Sequence, residues 1–515
     1  MVIETNNDLV ERFLHDAARY PGGHAAGVAR PRTAGEVAEI LAAPDETAPH
    51  QGAPYRVLVV GAQSSLTGGA TPFGDVVLST ERLTTLSIDG DRVRAGAGVT
   101  LQAIQDALAA VGRWLPPVPT YLGATAGGAV ATCAAGAATF KYGTIRPWVH
   151  GVTVVLASGD VLELERGRRA ASSLVSLPGL RMPDVPKCSA GYFIAPGMDL
   201  VDLFIGSEGT LGIVTEVIFT TAARPAARCH ALVPMASEEA GIRLVAELRE
   251  AAQQTWRTGD PLGVDVAAIE HIDARSIAVV REDGVDRKLD ITLPSGAGIV
   301  LLVEIELSHP VTGGELWRQL ETARDHGAAD SPLRRFCALL DRHDALDDAE
   351  IALPGHHARA AAFAELREAV PAGVNRRVAL AQHQLDPRIY KTAADMIVPF
   401  ARFAEMMREC RRLFAERDLD LAVWGHISDG NVHPNVIPRS ADDVTKGQEA
   451  ILALGDAVIA MGGSPLAEHG VGRSPIKQAL LRRLYGPDGI AAMRAIKFSL
   501  DPRGVLAPGV VFPAQ

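Results

Sequence analysis

Between Leu421 and Pro438 the chain reads LAVWGHISDGNVHPNVIP, two β-prone runs on either side of Asp429-Gly430. An Asp-Gly pair in that setting predicts a hairpin with a two-residue type I′ loop, because that turn needs positive φ at both central positions. In this register Ser428 faces Asn431, His426 faces His433 and Trp424 faces Asn435. Alternation then puts those six side chains on one face and Val423, Ile427, Val432 and Val436 on the other. The register carries the prediction, since a slip of one residue would scatter the set.

Two opposed imidazoles can supply two ligands to a divalent metal, which is short of a complete site. Glu468-His469, in AEHGVGRSP, offers a third ligand and a base. The competing expectation is that His426 and His433 lie on an exposed sheet face and bind nothing. The opposed pair together with a Glu-His dipeptide between glycines favours the metal set His426, His433 and Glu468, with His469 as the catalytic residue.

A chain of 515 residues holds two or three domains. Its net charge of −11 argues against nucleic acid as a partner. Five scattered cysteines without a CxxC argue against zinc-finger or iron–sulfur ligation and for a reducing compartment. The acidic N-terminal stretch does not read as a secretory or transit signal, so a cytoplasmic location is expected. Trp114–Phe140 carries no charge and is long enough to span a bilayer. Its early prolines and its Gly/Ala/Thr composition make it a soluble loop region instead, so no transmembrane segment is expected.

The first half alternates short apolar runs with glycine turns. Thr33 to Glu36 is a capping box ahead of a helix, and Arg56–Gly61 reads as a strand running into GAQSSLTGGA (Gly61–Ala70). Such a loop lets backbone N–H groups approach a phosphate, yet it is neither a Walker loop nor GxGxxG. Further strands are expected at Asp75–Ser79 and Val93–Ala95, a Thr100-capped helix after them, and a hairpin turning at Ser158-Gly159. Together with Gly123–Gly136 and Gly206–Gly212, the first loop makes three glycine-rich turns suited to an extended dinucleotide. In the middle of the chain Ile299–Leu307 reads as a buried strand and Ala401–Leu413 as an amphipathic helix, and Arg377, Arg388 and Lys391 could bind a carboxylate. Near the end, Ser474-Pro475 starts a helix with Leu480, Leu481 and Leu484 as its core face.

Several of these pieces, in this order, resemble one family. VARPRTAGEVAEIL, GAQSSLTGG, ATAGGAVAT, KYGTIR and GSEGTLGIVTE resemble the FAD-binding domain of the vanillyl-alcohol oxidase/PCMH superfamily. With HISDGNVH, EHGVG and LDPRGVLAPG the chain is similar to its D-lactate dehydrogenase, glycolate oxidase subunit and D-2-hydroxyglutarate dehydrogenase branch. The resemblance implies an α+β architecture: a PCMH-type two-subdomain FAD-binding domain over 1–224 and an FAD-linked oxidase C-terminal domain over 225–515. The latter divides into a substrate cap with an antiparallel sheet (225–425) and a metal and catalytic part whose helical tail returns to the flavin (426–515).

The resemblance also implies that FAD is cradled at three places. Gly61, Ala62, Gln63, Ser64, Ser65, Leu66, Thr67 and Gly68 form the first. Gly123, Ala124, Thr125, Gly127, Gly128 and Gly136, followed by Tyr142 and Gly143, form the second. Glu208, Gly209, Gly212, Ile213 and Val214 form the third. Ser64-Ser65 stands where members with covalently attached flavin often carry His, so the FAD is expected to be non-covalent. Cys133 and Ala507 stand at positions usually occupied by Asn, and Ser428 at one usually occupied by Gly.

The implied activity is oxidation of a D-2-hydroxy acid, of the D-lactate, glycolate or D-2-hydroxyglutarate class, with hydride passing to flavin. Zn²⁺ or Mn²⁺ on two imidazoles and a carboxylate would lower the hydroxyl pKa, with His469 as base. Lys391, just ahead of the segment resembling the family's substrate-facing strand, and Asn435 are expected to bind the substrate carboxylate. The electron acceptor is not legible, and a homodimer is compatible with the sequence. Two alternatives are a flavin synthase of the alkyl-dihydroxyacetone-phosphate type and a metal-dependent hydrolase without flavin. The first would need a lipid-facing channel, and no amphipathic membrane segment is evident; the second would be colourless.

Overall fold

The computed structural model describes residues 3–42, 56–117, 119–325 and 327–513. The chain is a mixed α+β protein of two compact units. One comprises Met1–Gly136, Gly143–Arg224 and Ser464–Gln515; the other comprises Ala137–Tyr142 and Pro225–Gly463. The division expected at 426 therefore falls at 463/464, and a six-residue piece of the first half belongs with the second unit.

In the first unit, strands His24–Ala29, Phe73–Ser79 and Val57–Val60 form a parallel sheet in that spatial order. The C-terminal tail extends it: Val57 donates to Val505 and Ala507 to Val57, each at 2.8 Å. Val57, Val76, Leu78, Val155, Ile213 and Leu506 share one core. An antiparallel sheet orders Leu86–Asp89, Arg92–Gly96, Ile213–Thr220, Val149–Val155 and Val161–Glu165, with Ser158-Gly159 in the last hairpin's loop. Thr33 caps its helix as predicted, but Glu36 accepts from the N–H of Arg32 and not from Thr33, so only half of the capping box forms. Ser474 caps the C-terminal helical stretch Pro475–Leu500, which is broken at Gly486 (φ 67°, ψ 177°). Leu480 and Leu481 are buried there, and Leu484 only partly so.

The second unit is built on a seven-stranded antiparallel sheet. Its spatial order is Glu350–Ala352, Ala227–Met235, Ile299–Leu307, Asp265–Asp273, Leu421–Gly425, Asn431–Val436 and Met396–Ile397. Helix His357–Gln384 covers one face, with Phe363, Leu366, Val370 and Val374 packed against Leu232, Ile272 and Val300. No helix among the described residues is long and apolar enough to cross a membrane.

Candidate active site

The hairpin forms in a register different from the predicted one. Trp424 pairs with His433 and Ala422 with Asn435, two residues away from the expected pairing. The cause is the turn. Asp429 does not take positive φ; it stays in a 3₁₀ turn, Ile427–Asp429, and accepts the N–H of Asn431 on its side chain. Only Gly430 (φ 88°) is left-handed, and a Cβ there would meet the carbonyl oxygen of Val398 at 2.3 Å. A shift of two keeps parity, so His433 and Asn435 still share a face with Trp424. His426 follows the strand, and its ring lies 5.6 Å from that of His433, at 88°. Every residue from Leu421 to Pro438 is buried, which removes the exposed-surface alternative.

Each histidine has an acid behind it. His426 Nδ1 donates to Glu270 Oε1 at 2.6 Å, and Glu270 Oε2 accepts from Arg367 Nε at 3.1 Å. Burial opposes the charge on Glu270, but Arg367 and His426 hold its pKa down to about 2. His433 Nδ1 is 3.6 Å from Asp395 Oδ1, which accepts from Asn431 Nδ2. Asn435 donates to the His433 carbonyl at 2.9 Å, while its own Oδ1 is buried with no hydrogen-bond partner among the described residues. Ser428, in place of Gly, accepts the N–H of Ile269 at 3.1 Å. Lys391 is exposed. Arg377 is held by Glu282 and Asp283, and Arg388 by Asp386, which accounts for both cations without a ligand.

In the first unit Glu468 and His469 sit side by side, His469 Nε2 lying 3.4 Å from Glu468 Oε1. Lys187, whose side chain is fully buried, donates to Glu468 Oε2 at 2.9 Å. The turn after them is braced by Ser189, which accepts the N–H of Gly470, and by Glu208, which accepts those of Val471 and Gly472, both at 2.8 Å. Glu208 itself stands at φ 51°, and burial raises its pKa against those two donors.

The expected cofactor residues divide by what their backbone does. Among the described residues, the N–H groups of Ala62, Gln63, Ser64, Ser65 and Leu66 have no protein acceptor, as a phosphate-binding loop requires. Asp16 fixes the end of that loop by accepting the N–H of Gly68 at 2.7 Å. A Cβ on Gly61 would meet Thr125 Oγ1 at 2.3 Å, so the first two turns touch.

In the second turn, the N–H groups of Ala126 and Gly127 go to the carbonyls of Val99 and Ala97. That of Gly128 goes to Thr125 Oγ1 and that of Ala124 to the carbonyl of Tyr121, ahead of the short helix Ala126–Ala131. Gly209 and Gly212 are required by packing: a Cβ on either would lie 2.5 Å from Val59 Cγ1 or Val154 Cγ1. Ile213 and Val214 open a buried strand. Tyr142 belongs to the second unit, where its hydroxyl bonds Glu306 beside Lys141; Gly136 and Gly143 flank that segment in the first.

Sequence reasoning missed Glu270, Arg367, Asp395, Asp16 and Lys187. Glu270 had a signal, an acid beside His271 directly after the apolar run Val266–Ile269, whereas Lys187 had none that spacing could reveal.

A family model described as FAD linked oxidases, C-terminal domain, matches residues 224–511, and one described as FAD binding domain matches residues 25–165. The chain belongs to the FAD-linked oxidase family and is an FAD-binding oxidoreductase. Among its relatives it is 29% identical to glycolate oxidase subunit GlcD of Bacillus subtilis over 97% of this chain and 92% of that protein. It is likewise 29% identical to D-lactate dehydrogenase of Archaeoglobus fulgidus (94% and 90%). To the mitochondrial D-2-hydroxyglutarate dehydrogenase of Bos taurus it is 28% identical (97% and 79%).

Proposed function

We infer that the protein oxidises a D-2-hydroxy acid to the 2-oxo acid, using non-covalent FAD and a divalent metal. The observation that carries the metal half is the buried imidazole pair His426 and His433, each backed by a carboxylate, in a chain whose relatives are named for hydroxy-acid oxidation. A donor set of two imidazoles and the Glu468 carboxylate suits Zn²⁺ or Mn²⁺. The row of N–H groups at Ala62–Leu66 suits the FAD pyrophosphate.

Each residue then has a defined task. His426, His433 and Glu468 would hold the metal, whose chemistry is polarisation of the substrate hydroxyl. The chemistry that FAD supplies is acceptance of the hydride from Cα. His469 takes the hydroxyl proton. Asn435, whose buried oxygen has no partner among the described residues, and Lys391 orient the substrate through its polar groups. Lys187 holds Glu468 in place.

The test is dye reduction by the purified yellow protein over a panel of D- and L-2-hydroxy acids. Turnover of one or more D-acids, abolished in His469→Ala with FAD retained, is the expected outcome. A colourless protein that hydrolyses esters or phosphates with added metal would contradict it.

A further inference from the structure

Asp395 and Glu270 stand at different distances from the two histidines of the hairpin. Asp395 approaches His433 Nδ1 only to 3.6 Å and is shared with Asn431. Glu270 makes a 2.6 Å bond to His426 Nδ1, and its other oxygen is fixed by Arg367. Both carboxylate oxygens are therefore committed, and the group has no rotational freedom left. Arg367 is in turn held by Glu368 through Nη1 at 2.7 Å. The strand carrying Glu270 is locked beside the hairpin, His271 pairing with Gly425 and Ile272 with Trp424. A carboxylate acceptor at Nδ1 places a proton on that nitrogen, so the neutral ring presents its lone pair at Nε2.

We propose that Glu270, clamped by Arg367, is the positioning residue that makes His426 a metal ligand through Nε2, and that the Arg367–Glu270–His426 line sets the strength of the metal site. A purely structural ion pair would need Glu270 and Arg367 but not the short bond to the ring. An acid behind the imidazole raises its basicity and fixes its plane, and loss of such a partner typically weakens metal binding about 10–100-fold. The inference rests on the proposed metal-dependent reading, and its test separates the two.

Zn²⁺ affinity would be measured on the FAD-loaded, chelator-stripped protein by competition with a fluorescent chelator, with FAD content recorded for each variant. Glu270→Gln is expected to weaken Zn²⁺ binding about 10–100-fold with FAD retained. In a His426→Ala background the same change is expected to do almost nothing. Equal affinity of Glu270→Gln and the unaltered protein, or an equal loss in both backgrounds, would overturn the role of Glu270 while leaving the metal site standing. No Zn²⁺ or Mn²⁺ binding by the unaltered protein would overturn the metal reading and this inference with it. If Glu270→Gln does not fold, Glu270→Asp keeps the charge near Arg367 but retracts the oxygen from Nδ1. Weakened Zn²⁺ binding with FAD retained is expected there, and unchanged affinity overturns the proposal.

Discussion

His271 is the residue whose replacement tests the electrostatics of the second unit most sharply. It is 1% exposed, and among the described residues neither ring nitrogen has a hydrogen-bond partner. Its ring meets Phe403 edge-on, with centroids 6.2 Å apart. Burial pushes its pKa down from 6.5 to about 4, with Asp273 and Glu270 opposing and Arg411 and His433 reinforcing the shift. The folded-state pKa lies below the unfolded one, so the neutral ring's contribution is fully present above pH 6.5. It is lost as the unfolded chain takes up a proton, by about 2 kcal/mol at pH 5 and about 3 kcal/mol once pH has fallen through 4.

His271→Leu removes that loss. At pH 7.5 it also removes two unsatisfied buried nitrogens, against the ring contact with Phe403 that it forfeits. Weighing about 1–3 kcal/mol for each of the two unsatisfied nitrogens against about 0.5–1.5 kcal/mol for an aromatic pair, the variant gains about 0.5–5 kcal/mol. Urea unfolding followed at pH 7.5, 6 and 5, in chelator so that metal release does not contribute, measures both effects. The variant should be more stable at every pH, with a gap that widens by about 2 kcal/mol from pH 7.5 to 5. A constant or shrinking gap would refute a neutral, unpaired His271. The separate fall below pH 4.5 should persist in the variant, because Glu270 contributes above that pH and its contribution is lost toward pH 2.

Lys187→Met leaves the part-buried Glu468 without its fully buried cation and should lower stability by about 3 kcal/mol, read as a lower urea midpoint in chelator. Cys133 and Ala507 both adopt left-handed backbone, at φ 51° and 43°, so Cys133→Asn and Ala507→Asn should each stabilise by about 1 kcal/mol in the same assay. Gly209→Ala combines φ 70° with a Cβ 2.5 Å from Val59 Cγ1 and should cost about 2–4 kcal/mol, seen as a lower thermal midpoint.

Those left-handed positions show what a linear reading can and cannot carry. The resemblance flagged Cys133 and Ala507 as departures from Asn, and the structure supplies the reason, a backbone that Asn tolerates better than Cys or Ala. Strand Ile299–Leu307 and the Ser474-Pro475 helix start were legible because periodicity and capping are local. The hairpin existed as expected but slipped by two, because Asp429 chose a side-chain bond to Asn431 over the left-handed turn. Arg367 and Lys187 were invisible because their partners lie 97 and 281 residues away, where only the folded chain brings charges together. Gly209 and Gly212 were assigned to the cofactor, yet their glycines are demanded by Val59 and Val154.

The most direct measurement of the central claim is anaerobic bleaching of the bound flavin by D- and L-2-hydroxy acids, before and after chelation and metal return. Bleaching by D-acids, lost on chelation and restored by Zn²⁺ or Mn²⁺, is the predicted result. Bleaching indifferent to chelation would contradict the metal role of His426, His433 and Glu468, and no bleaching by any hydroxy acid would contradict the proposed reaction itself.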